Sequence, residues 1–286
     1  MEQEIYTLIR QRATCRSFRS DPISDEVIGR LLDAGCKSPS SCGFQSISII
    51  KVTDEGKRKR LAELSRHQHF IAVAPVSLVF CVDYHRMLQI LRREPAPFRG
   101  PQQFHSLWMG IVDAAICAQT IVLAAEFEGL GSCYNGNVLN TMDQLSQLLE
   151  LPEYVCPAIM LTLGWPKVRH KQPPKYPTSL LVHENQYQVR GDDAIYSAYR
   201  KQNRYQKLPP KPEWVAACCE AGRAIHGEAY AQRIREDIEK KAFLGSYQYW
   251  LGCYYADEPG YLDFSGYQNY MRQQGFTWLE GKETDI

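Results

Sequence analysis

Four stretches hold residues whose types and spacing could do chemistry. RATCRSF (residues 12–18) sets two arginines four apart with the hydroxyl of Thr14 between them. In an extended segment Arg12, Thr14 and Arg16 alternate onto one side. Two guanidiniums flanking a hydroxyl suit a phosphate, because each guanidinium is a planar fork of donors. The same residues also read as a solvated basic turn. SPSSCGFQ (38–45) is a short loop of hydroxyls, Pro and Gly. It can offer hydroxyls and N–H groups to an anion or a ring edge, or merely connect two elements. GLGSCYNGN (129–137) follows a long apolar run, and Gly129 and Gly131 predict a helix stop and a tight turn whose N–H groups face a ligand. KVRHKQPPKYP (167–177) is basic and proline-rich. It is either a solvated loop or a second anion clamp.

These stretches need a scaffold. Residues 108–127, WMGIVDAAICAQTIVLAAEF, predict a long helix, with Ile111, Ala114, Ala115, Ala118, Val122 and Ala125 at three- and four-residue steps. It is apolar nearly all round, as a central core helix is. Asp113, Gln119 and Glu126 argue against a membrane span. Helices are expected over 2–12, after a Ser24 cap, over 55–65, around 87–91 and over 141–149. Buried strands are expected over 46–52, 74–82 and 155–164, and a mobile loop over 92–103. Beyond Tyr187 the texture changes. A helix over 192–206 precedes a break at prolines 209, 210 and 212; a long charged helix over 213–243, a Tyr- and Gly-rich stretch and a last helix over 264–275 follow. Helices alternating with few strands predict an α+β sandwich with a central mixed sheet and a helical C-terminal extension. We expect a core over 1–190 and an extension over 191–286 that packs on the core or on a partner. No GxGxxG follows a strand, and neither GxxxxGK[ST] nor GxSxG occurs.

Composition narrows the function. The 286 residues carry 33 Lys+Arg against 32 Asp+Glu, which gives no whole-chain reason to bind nucleic acid or acidic lipid. Ten cysteines occur with no CxxC, and Cys218–Cys219 lacks the second half of a zinc site. The N-terminus shows no basic region followed by an apolar run. We therefore expect reduced, packing thiols in a cytoplasmic protein, and no metal. His69, His105 and His183 read as structural.

The order of these motifs resembles the FMN-dependent nitroreductase family. RATCRSF, the Ser-rich loop ending at Gln45, GLGSCYNGN and LTLGWP fall in the matching order over about residues 1–190. VHENQY (182–187) and YMRQQGF (270–276) resemble the tail of the oxygen-insensitive NADPH nitroreductase and NADPH–flavin reductase subgroup. The resemblance implies a homodimer with two FMN sites and two-electron, ping-pong transfer from NAD(P)H to a small aromatic acceptor: a nitroaromatic, a quinone or free flavin. It implies that Arg12, Ala13, Thr14 and Arg16 form the motif at the FMN phosphate and ring edge, and that Ser40 and Gln45 lie near the ribityl chain and ring. Gln68 would contact the flavin, Gly131 and Ser132 would lie beside it, and Lys171 and Lys175 would complete the phosphate site. Arg200, Lys201 and Arg204 fall where the subgroup places its NADPH-phosphate loop.

The sequence departs from the family pattern at several points. Ala13-Thr14 stands for the usual Arg-Ser, Pro173-x-Lys175 for Lys-x-Arg, and Leu139 for an arginine; residues 207–262 have no clear match. Other chemistry on the same fold, such as dehalogenation or dehydrogenation, or a non-catalytic flavin sensor, are the rival readings.

Overall fold

The computed structural model describes residues 2–202, 207–256 and 265–278. Its contacts divide the chain into two compact units, residues 1–172 with 265–286, and residues 173–264.

The first unit is built on a four-stranded sheet, β1 (Ile47–Val52), β2 (Val76–Asp83), β3 (Gly131–Asn135) and β4 (Val155–Gly164), in the order β1-β2-β4-β3. Every ladder is antiparallel, so the expected mixed sheet is corrected. Among the described residues the parallel pairing is one isolated bridge, Thr14 to Ser132. β2 is buried along its whole length, as an apolar run covered on both faces must be. A bulge between Phe80 and Cys81 leaves Ala158 unopposed beside Pro157. Proline is tolerated there because the ladder is already irregular and β3 pairs no further than Met160.

One face of the sheet, through Leu78, Phe80, Val82, Leu161 and Leu163, packs on α2 (Asp25–Cys36) and α6 (Phe104–Phe127). The other face, through Val79, Cys81 and Met160, packs on α3 (Glu55–Leu64), α4 (His69–Val73) and α7 (Met142–Leu149). Ser24 caps α2 by accepting from the Val27 N–H, as expected, and Asp54 caps α3 likewise. α1 (Glu2–Gln11) and α5 (His85–Leu91) complete the part of this unit that precedes α6.

α6 begins four residues earlier than the sequence predicts. Nor is it buried all round: Phe104, Trp108, Ile111 and Ile116 are exposed on its outer face, with Trp108 at 56%. Asp113, on the inner face, is 3% exposed and accepts from the Ser41 N–H through both carboxylate oxygens, at 3.1 and 3.2 Å.

Gly129 ends α6 as expected, with φ at +81° and the Leu130 N–H closing on the Ala125 carbonyl at 2.8 Å. Gly131 does not turn. It opens β3, a strand absent from the sequence reading, and it is glycine because a Cβ there would lie 2.7 Å from the Cys15 Cβ.

The last helix among the described residues, Ser265–Gln273, belongs to this first unit. Tyr270, Met271 and Phe276 enter its core, and the Tyr154 N–H donates to the Gln274 carbonyl.

The second unit contains α8 (Thr178–Leu181), α9 (Asp192–Gln202), α10 (Pro212–His226), α11 (Glu228–Lys241), α12 (Ser246–Tyr249) and a π-helical turn, Trp250–Tyr254; the helix of the first unit that follows it is α13. The single helix expected over 213–243 is broken at Gly227, where φ is +86°. Residues 203–206, the expected end of α9, lie outside the described residues. All ten cysteines are free thiols.

Candidate functional site

The N-terminal motif lies along the outer edge of β3 and the end of β4. The Cys15 N–H donates to the Ser132 carbonyl at 2.8 Å, the Arg19 N–H to the Trp165 carbonyl at 2.8 Å, and the Lys167 N–H to the Ser17 carbonyl at 2.9 Å. Cys15 and Phe18 turn inward and are buried with Ala74. In an extended segment the burial of Cys15 sends Thr14 and Arg16 the other way, and Phe18, of the same parity as Arg16, marks where that alternation ends. Burial pushes the Cys133 thiol up to about 11, against the pull of the Arg16 and then the Arg12 guanidinium, so both cations stand close to β3.

A cavity of about 920 Å³ opens beside this strip. Arg12, Ala13, Thr14, Gly131 and Lys171 line it, so five of the predicted residues meet there; Arg10, Arg169 and His170 add basic side chains. Glu126 is the one carboxylate among its lining residues. Its side chain is only 7% exposed, and Arg169 neutralises it through Nη1 at 3.1 Å. Arg169 Nη2 also donates to the Gly129 carbonyl at 2.6 Å. Arg169 thus fastens the basic loop after β4 to the turn before β3. Sequence reading did not single it out: the charge was visible, but the burial of Glu126 was not.

Arg169→Met is expected to strand that carboxylate. Breaking a fully buried pair costs about 3–5 kcal/mol. With the Arg169 side chain 56% exposed, we expect about 1–3 kcal/mol by urea titration. Adding Glu126→Gln should recover most of the loss; a double variant no more stable than the single one would reject the pairing as the cause.

Ser40 and Gln45 line a second cavity of about 710 Å³, with Asp113, Cys117, Arg86 and Phe44. Their loop is strained: Cys42 and Gln45 have φ near +50°, a region that favours glycine. It is fixed from two sides, by Asp113 at the Ser41 N–H and by Arg86, which donates to the carbonyls of Gln45 and of Ile47, the latter at 2.8 Å. Ser40 Oγ accepts from the Gln45 N–H at 3.2 Å, and Gln45 Nε2 donates to the Cys36 carbonyl at 3.1 Å. The two predicted residues therefore also hold their own loop in shape.

Gln68 lines neither cavity. It starts α4 after Arg66 and His67, both at positive φ, and its N–H donates to the Ala62 carbonyl at 3.1 Å. Arg58 braces the far end of α4 through the carbonyls of Ala72, at 2.9 Å, and Ala74. Arg16 and Ser132 flank the first cavity without lining it. Lys175, Arg200 and Lys201 belong to the second unit, and Arg204 lies outside the described residues.

The architecture is thus a layered α+β unit whose N-terminal strip and β4 exit loop wall a basic cavity at the sheet edge. The family model described as "Nitroreductase family" matches residues 9–165, and the chain belongs to the nitroreductase family. It is 37% identical over 197 residues to the NADPH-flavin oxidoreductase of Vibrio harveyi, covering 69% of this chain and 80% of that one. It is 36% identical over 187 residues to the oxygen-insensitive NADPH nitroreductase of Salmonella typhimurium, covering 65% and 75%. The solved structure of the oxidoreductase YcnD from Bacillus subtilis superposes with a TM-score of 0.75 over 96% of this chain and 98% of that one, at 24% identity. At that identity the likeness bears on fold alone. At 96% coverage it nonetheless takes in most of the stretch for which the sequence offered no counterpart.

Proposed function

We propose that the chain is an FMN-dependent NAD(P)H oxidoreductase that reduces a small aromatic acceptor: a nitroaromatic, a quinone or free flavin. The observation that carries this reading is the 920 Å³ cavity, where Arg10, Arg12, Lys171 and the Thr14 hydroxyl converge and the single carboxylate is already neutralised. That donor set fits a phosphomonoester joined to a polyol. Bound FMN would supply the centre that accepts hydride from NAD(P)H and passes it on. The chain's own part is to hold and orient. Arg12 and Lys171 take the phosphate, Arg16 adds positive potential beside β3, and the backbone at Gly131 and Ser132 fixes the strip that carries them. Ser40, Gln45 and Gln68 stand on braced, strained turns, which suits residues that must meet a rigid ring without reorganising.

The relatives bearing flavin reductase and nitroreductase names support the same reading. Anaerobic addition of NADPH, then NADH, to purified protein tests it: a yellow protein bleached by one of them is expected. A protein that stays colourless after added FMN would reject it.

The same reading makes the chain a cytoplasmic homodimer. The exposed stripe Phe104, Trp108, Ile111 and Ile116 on α6, with Ile5, Tyr6 and Ile9 on the adjoining α1, is a surface that a second copy can cover. Sedimentation should give twice the 32.8 kDa chain mass, and a monomer at micromolar concentration would contradict it.

A further inference from the structure

The second unit holds a thiol pair that the proposed hydride chemistry does not use. Cys218 lies on α10 and is 3% exposed; Cys253 lies in the π-helical turn and is half-buried. The Cys253 thiol donates to the Trp214 carbonyl at 3.2 Å. Trp214 stands one helical turn before Cys218, on the same face of α10. Gly252 brings the two backbones together: a Cβ on it would lie 2.3 Å from the Cys218 Sγ and 3.0 Å from the Cys218 Cα. Only glycine lets the π turn seat this closely on α10. A π turn is itself uncommon and recurs at functional positions.

The two thiols differ in kind. Contact with the Cys218 thiol lowers the pKa of Cys253, while the same contact and burial raise that of Cys218. Cys253 is therefore both the more accessible thiol and the one that ionises more readily, the attributes of an attacking sulfur. Cys218 is placed to resolve what forms on it. Cys219, the sequence neighbour of Cys218, is buried, and no disulfide or metal group occupies these positions among the described residues.

We propose that Cys253 and Cys218 form a peroxide-reactive dithiol that closes to a disulfide. The Cys253 thiolate attacks one oxygen of hydrogen peroxide; the O–O bond breaks, hydroxide leaves, and Cys253 becomes a sulfenic acid. The Cys218 sulfur then attacks the Cys253 sulfur; the S–O bond breaks, the Cys218 proton leaves with the oxygen as water, and an S–S bond forms. Overall two thiols are oxidised to one disulfide, and one peroxide is reduced to two waters. The new bond ties α10 to the π turn. Both elements wall a cavity of about 610 Å³ that Tyr230, Tyr247, Arg233 and Lys240 also line, so oxidation would set the width of that cavity.

Peptide mapping of the full-length protein, treated with hydrogen peroxide and alkylated in denaturant, tests the proposal. A Cys218–Cys253 cross-link that dithiothreitol reverses is expected. Cys218→Ser should leave a sulfenic acid on Cys253 that dimedone traps, and Cys253→Ser should give neither product. The proposal is overturned if Cys218 and Cys253 both remain alkylatable at a peroxide dose that oxidises the exposed Cys36 and Cys42. It is equally overturned if the cross-link pairs either residue with another cysteine. The wild-type map alone decides the question if a variant fails to fold.

Discussion

Arg12→Ala should leave purification with little bound flavin, and its Kd for FMN should rise about 10- to 100-fold. The magnitude follows from one charge-assisted hydrogen-bond donor, about 1.5–3 kcal/mol, against about 1.4 kcal/mol per decade of affinity. Arg12 lines the cavity directly, so under the proposed function its loss acts on the phosphate. Arg16→Ala should also release flavin. Its guanidinium stands by the Cys133 thiol, so that variant should in addition change how readily the thiol reacts in the empty protein. Lysine at position 12 should restore only part of the affinity, since a point charge cannot replace a fork of donors. Fluorescence titration with FMN measures all three. Wild-type affinity in Arg12→Ala would remove the 920 Å³ cavity from the mechanism and shift attention to the Ser40–Gln45 cavity.

The second large effect is expected from a single methyl group. Gly131→Ala places a carbon 2.7 Å from the Cys15 Cβ and 3.0 Å from its Sγ, with the Pro166 Cβ at 3.5 Å. None of these atoms is the end of a flexible chain. Cys15 is also pinned through its N–H to the Ser132 carbonyl. The N-terminal strip must therefore lift off β3 or the strand must bend. Overpacking of this kind costs about 1–3 kcal/mol. The displaced strip carries Arg12 and Thr14, so flavin content should fall together with stability. Cys15→Gly in the same chain removes the opposing carbon and should recover both. If Gly131→Ala matches wild type in urea midpoint and in flavin content, close approach is not what seats the motif.

The long apolar elements were legible because their burial is written in their composition. β4 runs over 155–164 as expected, since an apolar run between turn residues has few other ways to bury itself. β3 was not legible. It is five residues long, begins with glycine, and gains its order from β4 and from Thr14, which are distant in sequence. The start of α6 was missed because Phe104, His105 and Ser106 precede the alanine-rich pattern and Gln103 makes no side-chain cap. The break in the long C-terminal helix rests on the backbone of Gly227, which a charge-rich pattern does not reveal.

The candidate site divides in the same way. The alternation of Arg12, Thr14 and Arg16 was readable from two-residue periodicity alone. The braces were not. Asp113, Arg86, Arg58 and Arg169 look like ordinary charged residues until the structure shows which carbonyl or N–H each one holds. Asp113 was noted only as an interruption of an apolar helix. Its reason for being there is a loop 72 residues upstream.

The strip that carries Arg12 has bearing on how the chain becomes competent during its synthesis. Residues 12–19 leave the ribosome well before the distant groups they hydrogen-bond, Ser132, Trp165 and Lys167. The opposing wall of the cavity, Arg169 to Lys171, emerges later still. Until then the early segment has no strand edge to lie on and no second wall to close against. Loop closure over such a separation is unfavourable until the sheet itself has formed. Under the proposed function, cofactor capture is in this way confined to chains that have finished this core, and a chain interrupted before it has no pocket with which to withhold flavin.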